Sequence, residues 1–180
     1  NSKSWQMVAQ LTRMVTDAGI PILSHDDDTQ QKIDLIQNLG ISACEFPVTL
    51  EAASLAAGSG LNVFMGAPNL IRNQSTNGNL KASEALEKKL CTGLVSDYYP
   101  ESLFQAAFIA SKFTSSLDLA LQTVTSGPGH FLSPQTSAGT LTKGADADII
   151  IVNQEHTWAH ITRSFVKGKP IFQIESSQPH

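Results

Sequence analysis

The sequence predicts an α/β chain built on a parallel sheet, with a smaller antiparallel β segment after it. Three observations carry that prediction. Four short apolar runs each end on a polar residue: Ile20-Pro-Ile-Leu-Ser-His25, Ile41-Ser-Ala-Cys-Glu45, Asn62-Val-Phe-Met-Gly-Ala-Pro-Asn69 and Gly93-Leu-Val-Ser-Asp97. Helix-patterned stretches separate the runs, the alternation of βα units joined by right-handed crossovers. After Gly129 the chain turns to turn-rich segments and β-forming runs. Four such strands suit half of a (β/α) barrel or a small doubly wound sheet. In a barrel, His25, Glu45, Asn69 and Asp97 would all point to the end that carries the active site.

Taken in order, the first helix is expected from Ser4 to Ala18, with Trp5, Val8, Leu11, Val15 and Ala18 on one stripe and Gly19 and Pro21 ending it. A strand to His25 follows. Asp26-Asp27-Asp28-Thr29 then offers N-cap oxygens to a helix that runs through Leu39 and stops at Gly40. The strand Ile41–Phe46 leads through Pro47 to a helix over Thr49–Ala57, closed by Gly58 and Gly60. The strand Asn62–Gly66 opens into a long polar segment, Ala67–Leu80, before a helix over Lys81–Leu90. The last strand of this set, Gly93–Asp97, precedes a helix from Pro100 to Phe113, where proline suits the first turn. A helix over Leu117–Ser126 ends at Gly127-Pro128-Gly129. Beyond it, Ile149-Ile-Ile-Val152 reads as a strand. Ile161–Ile174 reads as a hairpin turning at Lys167-Gly168-Lys169-Pro170.

Composition narrows the function. With 180 residues, 41% hydrophobic and 16% charged, the chain can bury one sizeable core. A net charge of −4 argues against nucleic acid or an anionic membrane as partner, because both need a basic field. No apolar run approaches the roughly 18 residues of a membrane span, and no secretory signal opens the chain. Cys44 and Cys91 are too few for a disulfide framework, so reduced thiols in a cytoplasmic protein are expected. Residue 1 is Asn and the first residues already read as helix, so more chain is expected upstream.

His25 closes an apolar strand and precedes three aspartates. A neutral imidazole ligates Zn²⁺, Mn²⁺ or Fe²⁺, and an adjacent carboxylate can orient the ring; alternatively the aspartates only cap the next helix. Asp97 could bind metal and accept a proton from attacking water, or cap the helix at Pro100. Glu45 is either a ligand or half of an ion pair with Arg72 or a lysine. The segment Gly66–Asn79 is dense in amides and hydroxyls. Arg72 offers a planar fork for phosphate oxygens, and Ser75, Asn77 and Asn79 add neutral donors; a mobile surface loop is the alternative. His130, His156, His160 and His180 show no ligand spacing and read as surface residues.

Ser24-His25-Asp26-Asp27, Glu45-Phe46-Pro47, Met65-Gly66-Ala67-Pro68-Asn69 with Arg72, and Ser96-Asp97-Tyr98-Tyr99-Pro100 together resemble the phosphonate-metabolism amidohydrolases of the carbon–phosphorus lyase pathway, the PhnM type. The tail, Gly139-Thr-Leu to Asp148-Ile-Ile-Ile-Val152 and then Phe165-Val-Lys-Gly168-Lys, is similar to the C-terminal β-strands of amidohydrolases in general. The resemblance covers nearly the whole chain. It implies strands 5 to 8 of a distorted (β/α)8 barrel over residues 1–129, with C-terminal strands of a small β-sandwich over 130–180.

The implied activity is that of a hydrolase of a phosphoric anhydride, a diphosphatase. It would be metal-dependent release of diphosphate from α-D-ribose 1-methylphosphonate 5-triphosphate, a small phosphorylated sugar. His25 matches the strand-5 metal ligand, and Asp97 matches the strand-8 aspartate that binds metal and acts as base. Glu45 stands where many amidohydrolases place a histidine. Asn69, Arg72, Ser75 and Asn79 become candidates for binding the triphosphate. Asn73, Gln74 and Thr76 depart from the family loop, which is richer in glycine and carries a histidine near Thr76. The His-x-His of strand 1 and the strand-4 ligand are absent. Half a barrel leaves sheet edges and an inner face uncovered, which allows homo-oligomers; alone, such a chain is expected to bind metal poorly and to turn over nothing. Two rivals remain: an amidohydrolase cleaving a C–N bond, and a truncated chain with no catalysis.

Overall fold

The computed structural model describes residues 2–75, 78–155 and 158–174. Helix α1 (Ser2–Asp17) leads to four βα steps: β1 (Leu23–His25), α2 (Gln30–Asn38), β2 (Ala43–Glu45), α3 (Leu50–Gly58), β3 (Asn62–Gly66), α4 (Ala67–Arg72), α5 (Ala82–Glu87), β4 (Gly93–Val95) and α6 (Ser102–Ala110). Helices α7 (Leu117–Gln122) and α8 (Ser126–Leu132) follow, then strands β5 (Ile149–Glu155), β6 (Trp158–Val166) and β7 (Lys169–Gln173). The first four strands pair in parallel in chain order, so each crossover joins neighbours. The chain is thus a partial (β/α) barrel with an antiparallel sheet, not a complete domain of the doubly wound type.

Register decides what each strand end faces. His25 pairs with Glu45 and Glu45 with Phe64, so these three share one face of the sheet. The alternate positions Cys44, Val63, Met65 and Leu94 are buried on the other face with Ile33, Ile36, Ala53, Ala56, Ala106 and Ala110 of the covering helices. Alanine supplies the buried face of α3 (Ala52, Ala53, Ala56) and much of that of α6 (Ala106, Ala107, Ala110). Thr29 and Thr49 fix where α2 and α3 begin, their hydroxyls accepting from Lys32 N at 3.4 Å and Ala52 N at 3.0 Å.

Several elements differ from the sequence reading. The polar segment after β3 is not all loop: α4 forms at once, with Pro68 in its first turn, where a missing N–H costs nothing. Pro100 lies two residues before α6 rather than inside its first turn. The helix expected to end at Gly127 divides instead into α7 and α8, and Gly127-Pro128-Gly129 lies within α8. Pro128 again falls in a first turn, and a Cβ on Gly127 would run into the Thr92 carbonyl.

That placement matters, because Phe131 of α8 meets Phe64 edge-on at 5.0 Å. The Thr123 carbonyl also accepts from Leu94 N at 2.8 Å, on the outer edge of β4. The uncovered face and edge expected of half a barrel are therefore partly closed by the chain's own α7–α8 segment. The α1 stripe is only partly covered: Trp5 and Leu11 are each 53% exposed, Val8 and Val15 are half-buried, and Thr12 is buried beside them.

In the second sheet, β5, β6 and β7 pair antiparallel in order. Its hairpin turn is only Lys167-Gly168, both with positive φ (49° and 76°), the two-residue geometry that matches strand twist. Pro170 lies within β7, an edge strand that tolerates it. Gln105 of α6 donates to the Ala159 carbonyl of β6 at 2.8 Å and ties the two sheets' elements together. Among the described residues, no helix is long and apolar enough to cross a membrane.

Candidate active site

Two of the three aspartates after β1, Asp26 and Asp27, take different parts. Thr29, not an aspartate, caps α2 through its side chain. Asp26 turns back, its Oδ2 lying 3.0 Å from His25 Nδ1. With Nδ1–H donating there, the Nε2 lone pair is the free one, the arrangement a metal-binding histidine uses. Asp27 is wholly buried. Its Oδ1 accepts from Ser24 Oγ at 2.7 Å and lies 3.3 Å from Lys32 Nζ, while Oδ2 has no hydrogen-bond partner. The same ammonium donates to the His25 and Asp26 carbonyls at 2.8 and 3.0 Å. Lys32 therefore pins the backbone on both sides of the bond that carries His25. Sequence reasoning missed this pair; the signal was a lysine one helical turn into α2, facing an aspartate before it. Beneath, the Cys44 thiol is pushed up from its ordinary pKa by burial first and by the neighbouring Asp27 second.

Backbone geometry singles out the same strand ends. Asp26, Phe46 and Asp97 all have left-handed backbones, with φ of 55°, 55° and 52°. Aspartate enters this region readily, but a bulky residue such as Phe46 is held there only where surrounding structure imposes it. Asp97 does not cap α6, which has no side-chain cap, so its exposed carboxylate is left for other work.

The segment after β3 is anchored. Asn69 Oδ1 accepts from Ala82 N at 3.1 Å and caps α5. Asn73, left-handed at the end of α4, accepts from Ser83 Oγ at 2.8 Å. Arg72 extends from the last turn of α4, its Nε donating to Pro68 O at 3.3 Å and its Nη2 to the Tyr98 hydroxyl at 3.4 Å. No carboxylate pairs with Arg72 among the described residues. Thr76 and Asn77 lie outside the described residues, as do His156 and His180.

These groups meet in one cleft of about 350 Å³ at the carboxyl ends of the parallel strands. It is lined by His25, Asp97, Asn69, Arg72, Ser75 and Asn79, the residues the sequence singled out, together with Asp26, Phe46 and Tyr98. Glu45 does not line it. Glu45 shares the sheet face of His25 through register and forms no ion pair among the described residues, with Arg72 or with a lysine. His130 is exposed on α8 and His160 on β6, away from this cleft.

As a donor set for a divalent ion, the cleft offers His25 Nε2 and the Asp97 carboxylate. No group of three His, Cys, Asp or Glu side chains gathers to hold a metal among the described residues. Zn²⁺ takes four ligands. The two donors fit part of such a set, and further ligands would have to come from elsewhere.

Comparison with known proteins agrees with this architecture. The chain is 38% identical over 156 residues to the α-D-ribose 1-methylphosphonate 5-triphosphate diphosphatase of Escherichia coli (strain K12), a match covering 85% of this chain and 41% of that protein. It thus spans less than half the length of that relative, and the resemblance to PhnM-type proteins read from the motifs holds. An amidohydrolase from Thermotoga maritima MSB8 superposes with a TM-score of 0.70 at 18% identity, over 90% of this chain and 46% of that one. The A. niger ochratoxinase gives 0.67 at 15% identity, over 92% of this chain and 45% of that one. An uncharacterized protein gives 0.72 at 15% identity, over 93% and 49%. These likenesses show the fold of a partial amidohydrolase-type barrel chain. No family model matches the chain.

Proposed function

We propose that this cleft forms part of a metal-dependent hydrolase of phosphonate catabolism, releasing diphosphate from α-D-ribose 1-methylphosphonate 5-triphosphate. The observation that supports the reading is the meeting of His25 and Asp97 with Arg72, a cation that no described carboxylate neutralises. His25 Nε2 and Asp97 would contribute ligands to Zn²⁺, Mn²⁺ or Fe²⁺. Such an ion supplies a bound water of lowered pKa and polarises a phosphoryl oxygen. Asp97 accepts the proton of the attacking water. Arg72 presents its fork to the triphosphate, and Ser75, Asn79 and the Asn69 amide NH2 add donors. The 38% identity to the E. coli diphosphatase supports this substrate over a C–N bond.

Two donors cannot complete a metal site, so the 180-residue chain by itself should bind Zn²⁺ weakly and release no diphosphate. The test joins it to the upstream part of the E. coli diphosphatase and supplies the ribose triphosphate with Mn²⁺ or Zn²⁺. Diphosphate release that His25→Ala and Asp97→Asn abolish is the expected result. Release of amine from an amide substrate instead would overturn it, and turnover by the unassisted chain would overturn the claim of incompleteness.

A further inference from the structure

We propose that Lys32 and the buried Asp27 are positioning residues of the cleft. Together they hold Asp26 in the conformation that keeps the His25 proton on Nδ1 and the Nε2 lone pair free. This deepens the reading of His25 as a metal ligand and rests on it. Neither Lys32 nor Asp27 lines the cleft, so their effect on it passes through their neighbours.

An ammonium has three N–H donors. Three oxygens from three successive residues surround that of Lys32: the His25 carbonyl at 2.8 Å, the Asp26 carbonyl at 3.0 Å and Asp27 Oδ1 at 3.3 Å. No donor remains for a substrate anion. The two carbonyls belong to the peptide groups on either side of Asp26. The cation therefore fixes the two planes whose relative rotation sets the Asp26 backbone, at φ 55°. From that backbone Asp26 Oδ2 comes within 3.0 Å of His25 Nδ1. A free imidazole side chain prefers its proton on Nε2, and a carboxylate on Nδ1 reverses the preference. Stability alone does not account for Lys32 and Asp27. Lys32 stands in the first turn of α2, where a cation opposes the helix dipole. Asp27 is wholly buried with Oδ2 unbonded, and an ion pair built this way adds little net stability.

The tautomer of neutral His25 tests the pair. It is read from the imidazole nitrogen shifts in NMR of the 180-residue chain at about pH 8, well above the ordinary histidine value, with His25→Gln identifying the signals. Wild type is expected mainly as Nδ1–H, and Asp26→Ala mainly as Nε2–H. Lys32→Met should invert the ratio as Asp26→Ala does, although the Asp26 side chain is intact. The double variant Lys32→Met with Asp27→Asn should regain part of the lost thermal midpoint and keep the inverted ratio. It carries the same test if Lys32→Met alone fails to fold. A wild-type ratio in Lys32→Met, or a double variant that recovers the ratio along with the midpoint, would overturn the positioning role. So would a wild-type ring protonated on Nε2. The measurement needs neither metal nor substrate, so its failure leaves the parts of Asp97 and Arg72 standing, and a joined protein that releases no diphosphate leaves this result standing.

Discussion

Phe46 meets the ring of His25 edge-on, with 5.0 Å between centroids and 83° between planes, from a backbone held at φ 55°. A bulky side chain in the left-handed region costs about 1–2 kcal/mol, so the position is imposed by its surroundings. Phe46 N donates to Phe64 O at 2.9 Å, extending the parallel ladder, and the buried Pro47 follows. With Asp26 on Nδ1 and Lys32 on the carbonyl, His25 is held by ring, carboxylate and backbone together.

Phe46→Gly and Phe46→Ala therefore separate strain from packing. Both lose the contact with His25, but only glycine is free of the left-handed penalty. Urea denaturation should find Phe46→Gly more stable than Phe46→Ala by about 1 kcal/mol. Equal stabilities, or alanine the more stable, would show that Phe46 carries no backbone strain.

Lys32→Met leaves the Asp27 carboxylate buried without a cation and releases the two carbonyls beside His25. Removing one partner of such a pair costs about 3–5 kcal/mol when both are buried; Lys32 is partly exposed, so the expected loss is smaller, about 2 kcal/mol. Adding Asp27→Asn removes the orphaned charge and should recover part of the loss. A double-mutant cycle by urea denaturation reads the coupling, and strict additivity would show that the two side chains do not act together.

Strand ends were legible in the sequence because each apolar run stops at a polar residue, and a parallel sheet gathers such ends at one place. That is why His25 and Asp97 share the cleft, which Asn69 and Arg72 reach from α4 and Ser75 and Asn79 from the segment after it. Glu45 does not line the cleft, although its register puts it on the sheet face of His25. α4 was hidden by the density of amides and hydroxyls in its segment, and α8 by Gly127-Pro128-Gly129, which reads as a helix stop although Pro128 lies in a first turn. Asp27 was hidden among three aspartates, since nothing local distinguishes an exposed cap from a buried carboxylate. The α1 stripe shows the opposite limit: periodicity reveals an apolar face but not whether anything covers it.

Gly93 is constrained by a ring. A Cβ there would lie 2.6 Å from Phe64 Cε1 and 3.3 Å from the Thr123 carbonyl oxygen. Phe64 cannot retreat easily, being buried against Phe131. Gly93→Ala should destabilise by about 1–3 kcal/mol. In the Phe64→Leu background, which lacks the ring edge, the same change should cost less. Chemical denaturation of the four variants checks this, and an unchanged cost in the leucine background would place the clash at Thr123 instead.

The two thiols set an alkaline limit on stability. Burial raises the Cys91 pKa to about 12, and Cys44 is raised too, by burial and then by Asp27. Each is bound to its proton more tightly in the folded state than in the unfolded one. Their contribution is therefore complete below the unfolded value near 9.0 and is lost as pH rises from there towards 12. The slope is at most about 1.4 kcal/mol per pH unit for each thiol. Urea titrations between pH 8 and 11 should show it, with a shallower fall in Cys91→Ala. Below pH 8 the Cys44 thiol should react with a disulfide reagent only on unfolding. A stability profile flat to pH 11, or one unaltered by Cys91→Ala, would mean that Cys91 ionises as freely in the fold as outside it.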